Sequence, residues 1–290
     1  MATCALCKSE KILKESHIIP KFVFDRIKEN SPTGYLRGGL LNSNQRRQDG
    51  DKFKMLCEDC EQLFSWAERK FAEDIFNPYH ELGTTSFEYG PWLSYFIISV
   101  NWRTLHLDNI DFHSRQEWSD DLLCVLDDAE MILADFLLGK RSDIGNMENH
   151  ILPMFEITDA NPELKNIEPN FLLRISAFDY TFFVPDLDGF YVFANLAGVL
   201  IFTVIRKGKN DVWENTLVQL GGGFIKPPVQ HKSPLAANIM DHLIECSEIK
   251  ISQTQKNKII ESLSANPKAS QSKAVEYRKL DTRLHNKEDN

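Results

Sequence analysis

The sequence predicts a mixed α+β protein in which a small cysteine-bearing module precedes a larger domain that runs helices first and a sheet second. Three observations lead there. Two CxxC pairs, Cys4/Cys7 and Cys57/Cys60, frame the early part of the chain. Between residues 86 and 140, apolar side chains recur every three or four positions, the period of a helix. From 171 to 224, short aromatic and β-branched runs alternate with turn residues, the pattern of strands.

Taken in order, the first segment spans residues 1–78 and ends at "IFNPYHELG", where Pro78 and Gly83 punctuate. Within it, "PKFVFDRIKEN" places Phe22, Val23 and Ile27 at helical spacing, with Pro20 at the first helical position. The following "SPTGYLRGGLLNSNQRRQDGDK" carries four glycines and little periodicity, so it reads as loop with a possible hairpin. "CEDCEQLFSWAERKFAEDIF" is the clearest helix, with Phe64, Ala67, Phe71 and Ile75 on one face and Glu61, Ser65 and Glu68 on another.

The second segment, 79–250, opens with the helices "WLSYFIISVNWRTLHL" and "DDLLCVLDDAEMILADFLLG", the latter ending at Gly139. Strands are expected at "FLLRISAF", "YTFFVP", "FYVFANLAGVLIFTVI" and "WENTLVQL", and "LAANIMDHLIEC" closes the segment as a helix. Residues 251–290 begin with a helix at "QTQKNKIIESLS". After Asn266 the chain is polar and lysine-rich, which reads as a mobile tail. "QLGGGFIKPP" lacks the spacing of a phosphate loop and reads as a turn at a strand end.

Composition narrows the functional classes. With 42% apolar and 26% charged residues over 290 positions, the chain has material for a real core. No window approaches the ~20 apolar residues of a membrane helix, and no basic-then-apolar leader opens the sequence. A cytoplasmic location with no membrane partner is therefore expected. Under reducing conditions six cysteines argue for metal rather than disulfides, with Cys124 and Cys246 as bystanders. The net charge of −9 disfavours a broadly basic nucleic-acid binder. The charge is uneven, however: Lys8 to Lys54 contains eleven Lys+Arg against six Asp+Glu, leaving room for a local basic surface.

CxxC is the shortest spacing that lets two thiolates of a tight knuckle reach one ion, and two such pairs supply the four soft ligands of structural zinc. Cys4, Cys7, Cys57 and Cys60 are expected to hold it. The second pair opens a helix, where the dipole favours thiolate. A knuckle, an extended insert and a helix whose first turn carries the last ligands describe a treble clef.

Inside the clamped insert lies "SHIIPKF", with His17 ten residues after Cys7. A CxxC, then "SHIIP", an asparagine-bearing loop and a CxxC at the head of a helix resembles the HNH endonucleases, also termed His-Me finger or ββα-metal nucleases. Bacterial proteins of defence-associated type share this arrangement, and the resemblance spans about residues 1–78. It implies hydrolysis of phosphodiester bonds in DNA, less readily RNA, in a setting that includes defence against phage. His17 would be the general base and Asn44, with Asn42 as second choice, its orienting partner. Glu61 and Glu68 on the helix would be ligands of a catalytic magnesium or manganese ion, to which Glu15, Asp49 or Asp51 could contribute. Where the family carries Asp or His before the base, this chain has Ser16, and its helix carries no histidine. Glu61 and Glu68 also fit a solvated helix face, Asn44 a turn, and Arg46 and Arg47 either a phosphate clamp or a solvated pair.

The second segment would position substrate or bind a partner protein. The alternative to a nuclease is a non-catalytic zinc module that binds nucleic acid or protein.

Overall fold

A computed structural model of the chain describes residues 1–38, 44–115, 118–157, 167–227, 229–232, 235–248 and 250–286. It is 48% helical and 23% strand, the mixed α+β class expected. Strands β1 (Ala2–Thr3) and β2 (Glu10–Lys11) pair antiparallel and close the first cysteine knuckle. Strand β3 (Leu13–His17) is followed by helix α1 (Lys21–Asn30), preceded directly by Pro20. Two short strands, β4 (Leu36–Arg37) and β5 (Arg46–Arg47), form the hairpin within the loop. Strand β6 (Lys52–Cys57) then pairs antiparallel with β3, in a register that sets Leu13 opposite Cys57 and His17 opposite Lys52.

Helix α2 (Glu58–Phe71) starts directly from β6 and continues through a π-type turn, Ala72–Phe76, into α3 (Asn77–Leu82). Pro78 explains the widened turn: it has no amide to donate to the residue 74 carbonyl, so the backbone adjusts ahead of it. Gly83, at φ 66°, supplies the left-handed stop. The expected module boundary near residue 78 thus falls inside a continuous helical stretch.

Strand β7 (Phe87–Tyr89) leads into α4 (Trp92–Arg115), the central element of the molecule. Every residue of α4 from Phe96 to Leu105 is buried, as expected of a helix wrapped on all sides. Helix α5 (Asp120–Leu137) packs against it and stops before Gly139, whose φ is 69°. Strand β8 (Glu148–Pro153), helix α6 (Pro169–Ile175) and strands β9 (Ala177–Val184), β10 (Gly189–Leu196) and β11 (Val199–Arg206) follow. The sheet is antiparallel in the order β8-β11-β10-β9. Three short strands complete the β structure: β12 (Val212–Glu214), which pairs with β14 (Gln230–Lys232), and β13 (Gly223–Ile225), which pairs with β7. Helices α7 (Leu235–Ser247), α8 (Gln253–Ala265) and α9 (Lys273–Asn286) end the described chain.

Strand β10 is buried on both faces. Tyr191 and Phe193 join one apolar cluster, and Phe190 and Val192 join the other, following the two-residue alternation of a strand. That double cover explains why this stretch reads as continuously apolar rather than alternating. Both clusters also draw on the amino-terminal residues. Ile19, Val23 and Phe71 belong to the first, where Phe71 stacks on Phe96 at 4.0 Å. Met55, Phe64 and the cysteines belong to the second, with Ile98 and Trp102 of α4. The amino-terminal module therefore has no core separate from α4.

Four elements differ from expectation, the first being "WENTLVQL", of which only Trp213 and Glu214 lie in a strand, β12. "FLLRI" forms α6 rather than a strand, and the strand begins only at Ala177. Pro169 opens that helix, and both Asp281 carboxylate oxygens accept its first amides, those of Asn170 and Phe171, each at 2.9 Å. The polar stretch after Asn266 contains α9, with Ala274, Asp281 and Leu284 buried against the body. Its docking depends on a buried carboxylate, so an apolar stripe is not what marks it. Strand β8 escaped notice because "ENHILP" mixes polar residues with a terminal proline. Its buried Asn149 accepts from the Thr203 hydroxyl through Oδ1, and His150 Nδ1 lies 3.0 Å from the Thr216 hydroxyl.

Candidate metal centre and the histidine site beside it

The four cysteines of the paired motifs converge. Their sulfurs all lie within 4.8 Å of one another, with Cys4, Cys57 and Cys60 buried and Cys7 partly so. The first pair sits on a tight knuckle in which the Lys8 amide donates to the Cys4 carbonyl and the Cys4 amide to the Ser9 carbonyl, each at 2.9 Å. Lys8 turns the chain there with φ at 59°. Cys57 is the N-cap of α2 and Cys60 lies in its first turn, so one tight strand-to-helix junction delivers both. The Cys57 amide donates to the Cys4 sulfur at 3.3 Å, and the Cys7 and Cys57 sulfurs approach to 3.9 Å.

Without a cation these thiols cannot all ionise. Burial, with the neighbouring cysteines, drives the Cys60 thiol far above its ordinary range. Burial also opposes ionisation of Cys7, but the Ser9 hydroxyl and amide, with the adjacent thiols, outweigh it and bring Cys7 to about 6. Four soft sulfur donors at this spacing can hold a metal such as zinc, whose charge stabilises four thiolates together.

His17 ends β3 at the far end of the β3–β6 pairing from this centre, where Leu13 stands opposite Cys57 and His17 opposite Lys52. Its Nε2 lies 2.9 Å from Asp49 Oδ1, and the two side chains are 16% and 23% exposed. Asp49 also takes the Gly50 amide at 2.9 Å on Oδ1 and the Lys52 ammonium at 2.7 Å on Oδ2. Burial works against the Asp49 charge, but Lys52, His17 and the Gly50 amide prevail and hold it at about 2. An ionised carboxylate accepts only, so Nε2 carries the hydrogen and the Nδ1 lone pair is the basic one. Phe24 lies beside the ring, with centroids 6.3 Å apart. A Cβ at residue 50 would stand 2.1 Å from a Phe24 ring carbon, so only glycine lets the Asp49 turn and Phe24 share this space.

The remaining expected residues have partners of their own. Ser16 is fully buried and its hydroxyl donates to Glu61 Oε2. Glu68 Oε1 accepts from Arg103 Nη2 at 2.9 Å. Glu61 and Glu68 therefore answer to different groups. Asn44 Oδ1 accepts the Ser252 amide at 2.9 Å, at an exposed position, and Asn42 lies outside the described residues. The Arg46 guanidinium lies over the Tyr35 ring at 4.2 Å, and Arg47 pairs with Asp51.

Arg103, which sequence reasoning missed, ties the site together. It is 2% exposed, donates through Nη1 to the His17 carbonyl at 2.7 Å and through Nε to the Ser99 carbonyl at 2.9 Å, and lies over the Phe64 ring. The one signal it left was a lone guanidinium in "FIISVNWRTL", an otherwise uncharged run bound for the core. Asp49 left a clearer one, an Asp-Gly turn immediately before a strand.

Comparison with protein-family models, with curated proteins and with solved structures finds no match to this chain.

Proposed function

We propose that the amino-terminal module is a metal-dependent nuclease of HNH type, acting on DNA in preference to RNA, with a structural zinc at Cys4, Cys7, Cys57 and Cys60. The observation that carries this reading is the His17–Asp49 pair at the end of a two-stranded hairpin whose second strand runs straight into a helix. Asp49 fixes the imidazole tautomer and orientation, and Nδ1 takes a proton from water. The oxygen of that water attacks phosphorus as the bond to the leaving ribose oxygen breaks. Glu61, which accepts from the hydroxyl of Ser16 next to His17, is the candidate oxygen donor on α2, and a bound magnesium or manganese ion would neutralise charge developing on the phosphate. One or two carboxylates suffice for magnesium when substrate phosphate and water complete its shell. Arg103 is a positioning residue for the strand end and for Glu68. The defence setting and a phage-directed role follow from the family resemblance, and a cytoplasmic location from the composition of the sequence.

The test is cleavage of supercoiled plasmid, linear duplex, single-stranded DNA and RNA with magnesium or manganese. His17→Ala should abolish cutting and Asp49→Ala should slow it on the order of a hundredfold, with metal content unchanged in both. Cutting that survives His17→Ala would remove the base assignment.

A second reading, a non-catalytic zinc module that binds nucleic acid or a partner protein, is favoured by the engagement of Glu61 with Ser16 and of Glu68 with Arg103. It predicts nucleic-acid or protein binding with no cutting under any metal.

A further inference from the structure

Between the cysteine knuckle, β6 and α4 lies an open cleft of about 390 Å³. Its walls include Lys8, Lys54 and His106 as polar groups and Phe53, Leu107 and Ile110 as apolar ones. Among the basic residues between Lys8 and Lys54, nearly all are committed. Lys11 and Lys14 pair with Asp59 and Glu58, Lys21 and Lys28 with Asp25, Arg26 with Glu81, Arg47 with Asp51 and Lys52 with Asp49. Lys8 and Lys54 are exposed and make no ion pair among the described residues. Glu130, the carboxylate nearest this cleft that Lys8 influences, is already held by His106 at 2.7 Å and by Asn109 at 3.0 Å. His106 is thereby oriented through Nδ1 and stacks on Trp102.

On a chain of net charge −9, two uncommitted cations over an apolar floor form a local exception. Their chemistry matches a polyanion with flat apolar parts. Phe53, 40% exposed, offers a ring on which a base can stack, and Lys8 and Lys54 offer charge to phosphates. Lys54 is two residues along β6 from Lys52, which pairs with His17, a separation of about 7 Å along a strand. His106 and Leu107 follow Arg103 by one turn of α4.

We infer that this cleft is a polynucleotide-backbone subsite that grips phosphates flanking the scissile one, with Lys8 and Lys54 on the backbone and Phe53 beneath a base. This rests on the nuclease reading for its role, but it is tested by binding alone. In the full-length His17→Ala background, the anisotropy of a labelled single-stranded DNA and of a labelled duplex is followed across a salt series. Lys8→Gln and Lys54→Gln should each reduce the slope of log K against log salt by about 1, and the double variant by about 2. Lys256→Gln, at an exposed position on α8, should leave the slope unchanged. Phe53→Ala should weaken single-strand binding about tenfold at constant slope. Metal content and circular dichroism establish that each variant is folded. A parent that does not bind, or lysine variants that keep the parent slope, would overturn the subsite. Salt-sensitive binding that the lysine variants reduce, in a wild-type protein that cuts nothing, would leave the subsite standing and remove the nuclease.

Discussion

The amino-terminal module and the seam between α4 and β9 treat buried charge in opposite ways. In the module, charged groups meet partners of the other sign: Asp49 faces Lys52 and His17, and Glu68 faces Arg103. At the seam, half-buried carboxylates face neutral donors. Asp108 accepts the Thr181 amide at 2.6 Å and Asp179 accepts the Thr104 hydroxyl at 2.9 Å. Burial is the main reason that Asp108 rises to about 7 and Asp179 to about 6, against the hydrogen bonds from Thr181 and Thr104 and, at Asp179, the longer-range pull of Arg103. The difference separates charges kept ionised by partners of opposite sign from charges the fold tolerates at a cost in stability.

The strongest way to break this comparison is to disable the four-cysteine cluster that could hold a metal. Cys57→Ser should release zinc and unfold the hairpin and knuckle, because structural zinc contributes folding free energy on the order of 10 kcal/mol. Hydrogen exchange should show lost protection in β3, β6 and the start of α2, while β10 and β11 stay protected in their doubly covered sheet. Zinc retained by a stable variant would defeat the metal assignment.

Next in size is Arg103. Arg103→Met leaves the His17 carbonyl and Glu68 without their guanidinium, a loss of about 3 kcal/mol in chemical denaturation. Arg103→Lys keeps the charge but not the fork, and should recover part of it. An unchanged midpoint for Arg103→Met would mean that the two regions are joined by apolar packing alone.

The residues on either side of that junction show how far sequence carried the reading. Cys4, Cys7, Cys57 and Cys60 were legible because coordination fixes local spacing within each pair, whatever the insert does. His17 was legible because it stands beside them in a recognisable string. Arg103 was not, since its partner His17 is 86 positions away and nothing local encodes the meeting. The same distance problem hid Asp281, 111 positions from the helix start that it caps, and with it the docking of α9 and the helical state of "FLLRI". An apolar run announces burial, but the partner that decides between helix and strand comes from elsewhere in the chain.

A third test sharpens the contrast through pH. Asp108 has its folded pKa raised from 3.8 to about 7, so between roughly pH 4 and pH 7 the folded state binds more protons than the unfolded one. Stability therefore falls as pH rises through that window. Asp49 has the opposite sign: lowered to about 2, it adds stability above about pH 4 that is lost as pH falls toward 2. Asp108→Asn keeps an acceptor for the Thr181 amide and removes the penalised charge. It should flatten the decline and stabilise the protein at pH 8 by about 2 kcal/mol, a figure discounted for partial exposure. A decline that persists unchanged in this variant would assign it to other groups.

The smallest expected effect concerns Asn44, and it separates position in a motif from position in space. Asn44 sits in the loop where an HNH-like string places the orienting residue, yet its side chain caps the Ser252 amide at an exposed position. Asp49, five positions on, is the group that touches His17. If orientation works through contact, Asn44→Ala should change cleavage by no more than about twofold, the scale of an exposed substitution, beside the far larger loss for Asp49→Ala. The turn itself favours Asp49: the Gly50 amide donates to its carboxylate, and Gly50 leaves the space that Phe24 fills, so the carboxylate is aimed before any substrate arrives. A large loss at Asn44 with little at Asp49 would reverse the roles and require the loop around Asn44 to close over His17 during the reaction.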